Sequence, residues 1–445
     1  MNDIYNYITI INYQKKPMLR TCYLTTLAFT MLSFVSFAQL SVNQQRIEKR
    51  ITELSQFGKD ANGRGYRVAY TKGDIEGRNY FMGLMRNAGL EVSIDNAGNI
   101  IGKRKGANQS LKPIAFGSHL DMVPDGGNYD GCLGSIGALE VIEILNENKI
   151  TTKHPLELII FSNEEGGTDG SAAMAGNFSP DALKLKTQSG LTIGEGVKAI
   201  GGNPDNIKAA ARTKGDLAAF VELHIEQGGL LEKEKLQIGV VEGIVGIEHW
   251  EIMVEGFANH AGTTPMNMRS DALLAAAKFI VAVNEEITKV PGRQVGTVGK
   301  IAALPGAFNV IPGKVNLGLE IRDLNYEKIW QLFKAIEQRV KNIETASGTH
   351  FTFNYQNNAS KPALTDKSIQ DKIVVIAKAL GLTYQYMQSG AGHDAQEIST
   401  IAPVGMIFVP SVAGISHSPK EFTKGIDMAN GANVLLKTIL AIDQQ

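Results

Sequence analysis

Two apolar stretches with a helical stretch between them decide the fold class of this chain. Residues 112–121 read KPIAFGSHLD, residues 135–149 read SIGALEVIEILNENK, and residues 155–165 read PLELIIFSNEE. The middle stretch has apolar residues at helical spacing, whereas the outer two are apolar runs of strand length. A strand–helix–strand order with apolar strands is typical of a parallel sheet covered by helices on both faces. The sequence therefore predicts an α/β fold with a mixed, mostly parallel sheet.

Polar side chains follow both predicted strands at the point where each strand ends. His119 and Asp121 end the first strand, and Glu164 and Glu165 end the second. Because ligands bind beyond the carboxyl ends of the strands in such sheets, we expect these side chains to lie close together. The glycine-rich loop between the strands carries Asp130, a carboxylate that could bridge two metal ions. The sequence therefore predicts a metal site at this edge.

The chemistry of these residues suggests separate roles for them. Asp121 could accept a hydrogen bond from the ring of His119 and so fix its tautomer. Of two adjacent glutamates, one can bind metal while the other acts as general base. Either motif alone is more often a solvated strand end, but their joint occurrence favours a site. Five histidines lie in glycine-rich or polar motifs: His119, His224, His260, His393 and His417.

The middle of the chain predicts a second, smaller unit. Its strand-like and helix-like segments follow the order β-α-β-β-α-β, which is typical of a ferredoxin-like α+β unit with one open sheet. We expect this unit to be inserted at residues 246–358. Residues 39–245 and 359–445 then form the two parts of the larger, catalytic domain.

The N-terminus resembles a secretory signal peptide. KKPMLR at residues 15–20 is followed by the apolar run TCYLTTLAFTMLSFVSFAQ. This pattern predicts a signal peptide over residues 1–38, with Met18 as a possible start, and export to the periplasm or the medium. A membrane anchor is the alternative, but the apolar run is short for a span. We therefore expect no stable membrane association.

Composition limits the function classes further. The chain has 445 residues, enough for two domains, and a formal net charge of −1, which argues against nucleic-acid partners. The two cysteines are Cys22 and Cys132. Because Cys22 lies in the predicted signal peptide, no intrachain disulfide is expected in the mature chain.

Nine motifs occur in order along almost the whole predicted mature chain: GSHLDMV, NYDGCLG, NEEG, LHIEQG, FANHAGTTPM, FNVIPG, IRD, SGAGHDA and FVPSVAGISHSPKE. Together they resemble the amidase, hydantoinase and carbamoylase family of dinuclear zinc aminoacylase-type hydrolases. That family includes N-carbamoyl-L-amino acid hydrolase, β-ureidopropionase and allantoate amidohydrolase. The resemblance implies a zinc-peptidase-like catalytic domain and a lid domain through which subunits form homodimers.

The resemblance also implies two divalent metal ions per subunit. It assigns one ion to His119, Asp130 and His224, and the other to Asp130, Glu165 and His417. Zinc is the expected metal, with manganese, cobalt and nickel as alternatives, since all of them suit histidine and carboxylate ligands.

The remaining roles concern catalysis and substrate binding. Glu164 is implied to be the general base. His393 is the alternative to His417 as the last ligand, and we expect His393 to contact the substrate or transition state instead. The resemblance also implies that Arg322 binds the substrate carboxylate and that His260 stabilises the oxyanion. Gln227 and Asn309 are implied to make polar contacts with the substrate. The resemblance also allows the partner subunit to supply His260.

One loop departs from the family pattern. After Glu164-Glu165-Gly166 many members continue with an Arg-Phe pair and a longer loop, whereas this chain reads GGTDGSAAMAG at residues 166–176. The expected function is metal-dependent hydrolysis of N-carbamoyl-L-amino acids or related ureido acids. Because the altered loop is expected beside the active site, the resemblance does not identify the substrate. The alternatives are an allantoate amidohydrolase, a metallo-dipeptidase or aminoacylase, and a non-catalytic binding protein. The last is disfavoured because no implied ligand or base is missing.

Overall fold

The structure is a computed structural model that describes residues 40–445, apart from the side chains of residues 357–359. The predicted signal peptide and Cys22 lie outside the described residues. Cys132 is buried and has a free thiol. Within residues 40–445, no helix has both the length and the apolar character needed to cross a membrane.

The strands within these residues are numbered along the chain, with the following bounds: β1 (Glu91–Ile94), β2 (Ile100–Arg104), β3 (Ile114–His119), β4 (Leu156–Phe161), β5 (Ala219–Ile225), β6 (Ile238–Ile244), β7 (Gly246–Glu255), β8 (Asn259–His260), β9 (Val295–Leu304), β10 (Val310–Ile311), β11 (Lys314–Asp323), β12 (His350–Ser360), β13 (Ala363–Leu364), β14 (Tyr384–Ser389) and β15 (Val404–Val409).

The α-helices of the same part of the chain are numbered in the same way: α1 (Gln44–Leu54), α2 (Lys72–Asn87), α3 (Cys132–Glu147), α4 (Asp169–Ala175), α5 (Ile193–Ala199), α6 (Leu230–Glu234), α7 (Ala272–Lys289), α8 (Tyr326–Ser347), α9 (Lys367–Ala379), α10 (Asp394–Ile398) and α11 (Gly425–Asp443).

The larger sheet has the strand order β1-β2-β4-β3-β5-β15-β6-β13, with β14 also paired to β6. Its centre is parallel, because β3 pairs in parallel with β4 and β5, and β5 does so with β15. Antiparallel pairs join β1 to β2, β2 to β4, and β15 to β6. The prediction of a mixed, mostly parallel sheet is confirmed.

Burial explains why the central strands have apolar sequences. Every residue of β3, β4, β5 and β15 is buried. A strand covered on both faces must be apolar on both, which gives a continuous run instead of an alternating one. Helices α3 and α11 pack on β3 and β5 and against each other. Helix α3 approaches β5 closely at Gly134, where a Cβ atom would lie 2.1 Å from the Leu223 carbonyl oxygen.

The smaller sheet contains β7, β9, β11 and β12 in the antiparallel order β12-β7-β11-β9. Helices α7 and α8 pack on one face of it, around a core that includes Trp250, Phe279 and Phe333. The order β7-α7-β9-β11-α8-β12 is the predicted β-α-β-β-α-β arrangement. The domain boundaries near residues 246 and 358, and the role of this unit as a lid, stay predictions.

Candidate metal centre

Four segments of the larger sheet deliver the predicted site residues to one edge. His119 is the last residue of β3, and His224 lies one residue before the end of β5. Glu164 and Glu165 follow β4, and His417 lies in the loop after β15. Because β4, β3, β5 and β15 run in parallel, their carboxyl ends meet at the same edge.

The first ligand set consists of His119, Asp130 and His224, which are all buried. The Oδ1 atom of Asp130 lies 3.2 Å from Nε2 of His224 and 3.6 Å from Nε2 of His119. One potential ligand atom from each residue lies within 4.8 Å of the other two. The structure thus brings together the three residues that the resemblance assigns to one ion.

The second ligand set consists of Asp130, Glu165 and His417, and it meets the same 4.8 Å limit. The Nε2 atom of His417 lies 3.3 Å from Oε2 of Glu165 and 3.5 Å from Oδ2 of Asp130. Asp130 therefore contacts the first set through Oδ1 and the second through Oδ2. This is the arrangement expected of a carboxylate that bridges two ions.

Unpaired polar atoms show that the two sets suit a cation. The Nε2 atom of His119 and the Oε1 atom of Glu165 are buried and have no hydrogen-bond partner. Leaving such an atom unpaired costs about 1–3 kcal/mol, and a metal ion in each ligand set would satisfy one of them. The Nε2 atom of His224 lies 3.1 Å from the Gly131 nitrogen, which is its present polar partner. Imidazole and carboxylate donors together fit divalent transition-metal ions.

Main-chain carbonyls orient the two buried histidines of the first ligand set. Nδ1 of His119 lies 3.0 Å from the Asp121 carbonyl oxygen, and Nδ1 of His224 lies 2.9 Å from the Ile225 carbonyl oxygen. A neutral ring that donates from Nδ1 has its lone pair on Nε2, the atom that faces Asp130.

Asp121 was expected to accept a hydrogen bond from the ring of His119, and it does so through its main-chain carbonyl oxygen. The carboxylate of Asp121 lies 3.7 Å from Nδ1 of His119, so the main-chain carbonyl is the acceptor instead. The Asp121 carboxylate accepts hydrogen bonds from the main-chain nitrogens of Glu164 at 3.4 Å and Glu165 at 3.1 Å. It therefore positions the two glutamates, because the turn after β4 brings their N–H groups within its reach.

The pKa values of the cluster favour positive charge at its centre. Burial lowers the pKa of His119, but the carboxylates of Glu164, Asp130 and Asp121 outweigh it and raise this pKa well above its usual value. Burial opposes ionisation of Asp130, yet His224 and His119 hold its pKa well below the usual range. A site that stabilises cationic imidazoles in this way would also stabilise a metal ion.

Glu164 lies at the centre of the cluster but outside both ligand sets. Its Oε2 atom is 3.4 Å from Nε2 of His119. Burial raises the pKa of Glu164 well above its usual value, although the charge of His119 opposes this shift. A carboxylate with a raised pKa is a stronger base, which suits the predicted transfer of protons.

The structure separates the two candidates for the last ligand. His417 lies in the second ligand set, whereas His393 lies beside the first, with its ring 4.5 Å from that of His224. Nε2 of His393 hydrogen-bonds Ser389 Oγ at 2.8 Å. Burial, followed by the nearby His224, lowers the pKa of His393 well below its usual value, so the ring is neutral.

A third group of potential ligands is formed by Glu222, His224 and His393. The Glu222 carboxylate already accepts hydrogen bonds from Ser118 Oγ at 2.8 Å and from the Ala395 nitrogen at 2.9 Å. These bonds tie β3 and the start of α10 to β5. The carboxylate of Glu222 therefore stabilises the packing of these segments next to the site. The first two ligand sets are the better metal sites, because both oxygens of Glu222 already accept hydrogen bonds.

Gln227 contacts the cluster directly. Its Nε2 atom donates a hydrogen bond to Oδ2 of Asp130 at 2.6 Å, and its Oε1 atom is buried without a partner. Its backbone has φ of 58°, and His417 has φ of 53°. Left-handed backbone at residues other than glycine is strained, and such strain is concentrated at functional sites.

The predicted site residues of the smaller unit lie in two separate places. Arg322 donates to Oε1 of Glu320 at 2.6 Å and to the Gly390 carbonyl at 2.6 Å, so it lies at the loop before His393. His260 and Asn309 are exposed. His260 forms hydrogen bonds with residues 259 and 262–264 of its own segment. The Ala261 nitrogen donates to the Asn309 carbonyl and so joins the two segments. The structure does not bring them to the cluster within one chain.

Glu421 is a site residue that the sequence reasoning missed. Its carboxylate accepts hydrogen bonds from the main-chain nitrogens of Tyr129 at 2.8 Å, Asp130 at 3.1 Å and His417 at 3.3 Å. It also lies 2.9 Å from Ser416 Oγ. It thus joins the loops that carry Asp130 and His417. The motif GISHSPKE contained the signal, since a glutamate four residues after a ligand lies in the same loop.

Arg67 is a second missed residue. It is fully buried and donates hydrogen bonds to the Leu120 carbonyl at 2.7 Å and to Cys132 Sγ at 3.0 Å. These contacts join the segment after β3 to the start of α3, on either side of the Asp130 loop. Nothing in the sequence around Arg67 indicates this role, because Leu120 and Cys132 are more than fifty positions away from it.

Replacing Gly131 with alanine should disrupt the first ligand set. Gly131 has φ of +62°, and a Cβ atom there would lie 2.3 Å from Nε2 of His119. We expect Gly131→Ala to weaken metal binding by about 10-fold or more, measured by metal titration. Gly89→Ala is the matched control, because Gly89 also has positive φ but no atom within 4 Å of the added Cβ. Equal metal affinity in the two variants would contradict the close approach at His119.

Comparison with known proteins agrees with this geometry. Residues 115–441 match the sequence model of Peptidase family M20/M25/M40. The chain is 38% identical over 408 residues to N-carbamoyl-L-amino acid amidohydrolase of Geobacillus stearothermophilus, covering 91% of this chain and 99% of that one. It is 34% identical over 403 residues to allantoate amidohydrolase of Bacillus subtilis, covering 89% and 97% of the two chains.

A solved structure with a similar fold is an amidase of the hydantoinase/carbamoylase family from Burkholderia multivorans. Its TM-score is 0.85 at 34% identity, with 91% of this chain and 99% of that chain covered. These matches extend over both sheets. The chain therefore belongs to peptidase family M20/M25/M40, in its hydantoinase/carbamoylase group, and is a hydrolase of carbon–nitrogen bonds in linear amides.

Proposed function

We propose that the protein hydrolyses N-carbamoyl-L-amino acids or closely related ureido acids, giving the free amino acid, ammonia and carbon dioxide. The observation that carries the proposal is the sharing of Asp130 by two ligand sets, with Glu164 beside them. The sequence identity to N-carbamoyl-L-amino acid amidohydrolases supports the choice of substrate. Two divalent ions would occupy the ligand sets. Zinc is the expected metal, and manganese, cobalt and nickel are the alternatives.

The residues of the cluster support hydrolysis. His119, Asp130 and His224 would hold one ion, and Glu165 and His417 would complete the second site with Asp130. Bound divalent ions polarise a carbonyl group and lower the pKa of water, which supplies a nucleophile at neutral pH.

Glu164 would move the proton in this reaction. Its carboxylate would take a proton from the attacking water and pass it to the leaving nitrogen. Burial of Glu164 supports this role, because it raises the pKa of the carboxyl group and so strengthens the base.

Polar groups around the cluster suit a ureido acid. Nε2 of Gln227 is held by Asp130, so its buried and unpaired Oε1 is left as an acceptor for a ureido N–H group. Arg322 is held by Glu320 and Gly390, and its remaining N–H groups would bind the substrate carboxylate. His393, neutral and beside His224, would contact the substrate without binding metal.

We further propose that the protein is a homodimer through the smaller unit and that His260 serves the partner's site. Nδ1 of His260 accepts hydrogen bonds from the nitrogens of Gly262 and Thr263 at 3.0 and 3.2 Å, so a neutral ring has a donor at Nε2. Such a donor suits an oxyanion, with Asn309 beside it as a second polar contact. Strand β9 is at the edge of its sheet and exposes apolar side chains, including Ile301 and Leu304.

Ammonia release is the measurement that tests the reaction. The purified protein is given N-carbamoyl-L-amino acids, allantoate and dipeptides, with zinc or manganese added and with a chelator. We expect metal-dependent ammonia release from the N-carbamoyl substrates. Cleavage of allantoate alone would establish the allantoate alternative, and cleavage of dipeptides alone would establish the peptidase alternative and refute the proposal.

Glu164→Gln tests the proposed base. We expect kcat to fall by about 1000-fold while the bound metal per chain is unchanged, since the variant loses the base but no ligand. Glu195→Gln is the control, because Glu195 lies in an exposed capping box of α5. Turnover of Glu164→Gln at the wild-type rate would refute this assignment.

Light scattering tests the proposed dimer. We expect the wild-type protein to have twice the mass of one chain, and Ile301→Lys on β9 to shift it to one chain with lower kcat/KM, because the charge would be buried at the interface. Val375→Lys, on the exposed face of α9, is the control. A fully active wild-type monomer would contradict the proposal.

We also propose that the protein is exported, on the pattern of residues 15–38 alone. Mass spectrometry of the mature protein from its native host tests this, and an N-terminus at or before Met18 would contradict it.

A further inference from the structure

A cavity of about 230 Å³ lies beside the second ligand set. Asp121 and Glu165 form part of its wall. Oε2 of Glu165 is 3.3 Å from Nε2 of His417, so one side chain lines the cavity and belongs to the metal-ligand cluster. A group inside the cavity is therefore adjacent to the reacting part of the proposed substrate.

The floor of the cavity is apolar. Val68, Ala69, Met122 and Ile193 line it and are each less than 9% exposed. Of the two carboxylates in the wall, that of Asp121 already accepts hydrogen bonds from the main chain of Glu164 and Glu165, whereas Oε1 of Glu165 is unpaired and belongs to the metal-ligand cluster. An occupant thus finds an apolar floor and two carboxylates, with Asn163 also in the wall and the exposed Lys186 at the rim. The buried part of the cavity favours an uncharged apolar group over an anionic one.

The rim is formed by exposed chain segments on two sides. Leu185 and Gln188 lie on one side, and Leu185 is 61% exposed. Gly166 lies on the other side, in the short Gly-Gly turn that follows Glu165. A Cβ atom at Gly166 would lie 2.2 Å from Oδ1 of Asn163, another residue of the cavity wall, so the turn packs closely on that side chain.

We propose that this cavity is the specificity site for the amino-acid side chain of the substrate, and that it takes apolar side chains up to the size of a phenyl ring. The inference rests on the proposed function. An apolar cavity of about 150 Å³ holds benzene, so about 230 Å³ has room for a benzyl group.

The substrate has one substituent for which no other contact is assigned. Its carbamoyl group lies at the metal-ligand cluster, and its carboxylate lies at Arg322, which contacts the Gly390 carbonyl. The cavity is built from other segments, near residues 68, 122, 166 and 188. The side chain on the α-carbon is the group that remains, and the cavity is the apolar space adjacent to the cluster that can hold it.

A series of substrates that differ only in side chain tests this assignment. The holoenzyme is assayed with N-carbamoylglycine and with the N-carbamoyl derivatives of L-alanine, L-leucine and L-phenylalanine. We expect kcat/KM to rise by about 100-fold from the glycine to the leucine or phenylalanine derivative, because a methylene group in an apolar pocket contributes about 10-fold or more.

Substitutions at the rim locate the effect. Gln188→Trp and, separately, Leu185→Trp place an indole at the cavity mouth without changing its buried floor. We expect each to lower kcat/KM for the phenylalanine derivative by about 10-fold and to change that for the glycine derivative by less than about twofold. Val375→Trp adds an exposed indole on α9 and is the control, with no expected change for either substrate.

The outcomes separate this inference from the proposed function. Hydrolysis of the glycine derivative without a gain for larger side chains would overturn the cavity assignment alone. So would rim variants that lower kcat/KM equally for all substrates or leave the phenylalanine derivative unaffected. Failure to hydrolyse any N-carbamoyl substrate, including the glycine derivative, would overturn the proposed function and this inference with it.

Discussion

The buried carboxylate of Asp130 is the constraint around which the site is built. It lies within 3.6 Å of one imidazole nitrogen of each of three histidines, which come from β3, β5 and the loop after β15. Gln227 and Ser416 also bond its Oδ2 atom, at 2.6 and 2.9 Å. Burying a carboxylate is unfavourable unless it is paired, so these contacts are needed for the edge to fold. The same contacts set the geometry for two cations.

The position of Asp130 depends on the main chain around it. Gly131 has a positive φ and leaves no space for a side chain against His119. Glu421 binds the main chain on both sides of the cluster, at Asp130 and at His417. Arg67 joins the two ends of the loop that carries Asp130. These contacts hold the buried carboxylate of Asp130 rigidly at the sheet edge. Selective metal binding requires such a rigid ligand geometry.

The sequence predicts those parts of the site whose position follows from strand periodicity and motif order. His119 and the Glu164–Glu165 pair end parallel strands, and parallel strands end together, so their proximity follows from the fold. The hydrogen-bond donors that the Asp121 carboxylate binds could not be predicted in the same way. The spacing of a histidine and an aspartate says that they are neighbours, but the turn after β4 decides which groups the carboxylate reaches. The role of Arg67 was beyond prediction because Leu120 and Cys132 are distant from it in sequence.

Reaction chemistry and substrate choice depend on different parts of the molecule. The contacts of Asp130 come from strands and loops of the larger sheet. Arg322 is held by Glu320, which in turn lies 2.9 Å from Nε2 of His249, so the substrate contact proposed for Arg322 belongs to the smaller sheet. The cavity shares Glu165 with the metal-ligand cluster, but its rim consists of loops that belong to neither network. Loops tolerate changes in length and side chain that a buried, fully bonded carboxylate does not. A substitution in these loops can therefore change which side chain is accepted while the bonds of Asp130, and with them the reaction, are left intact.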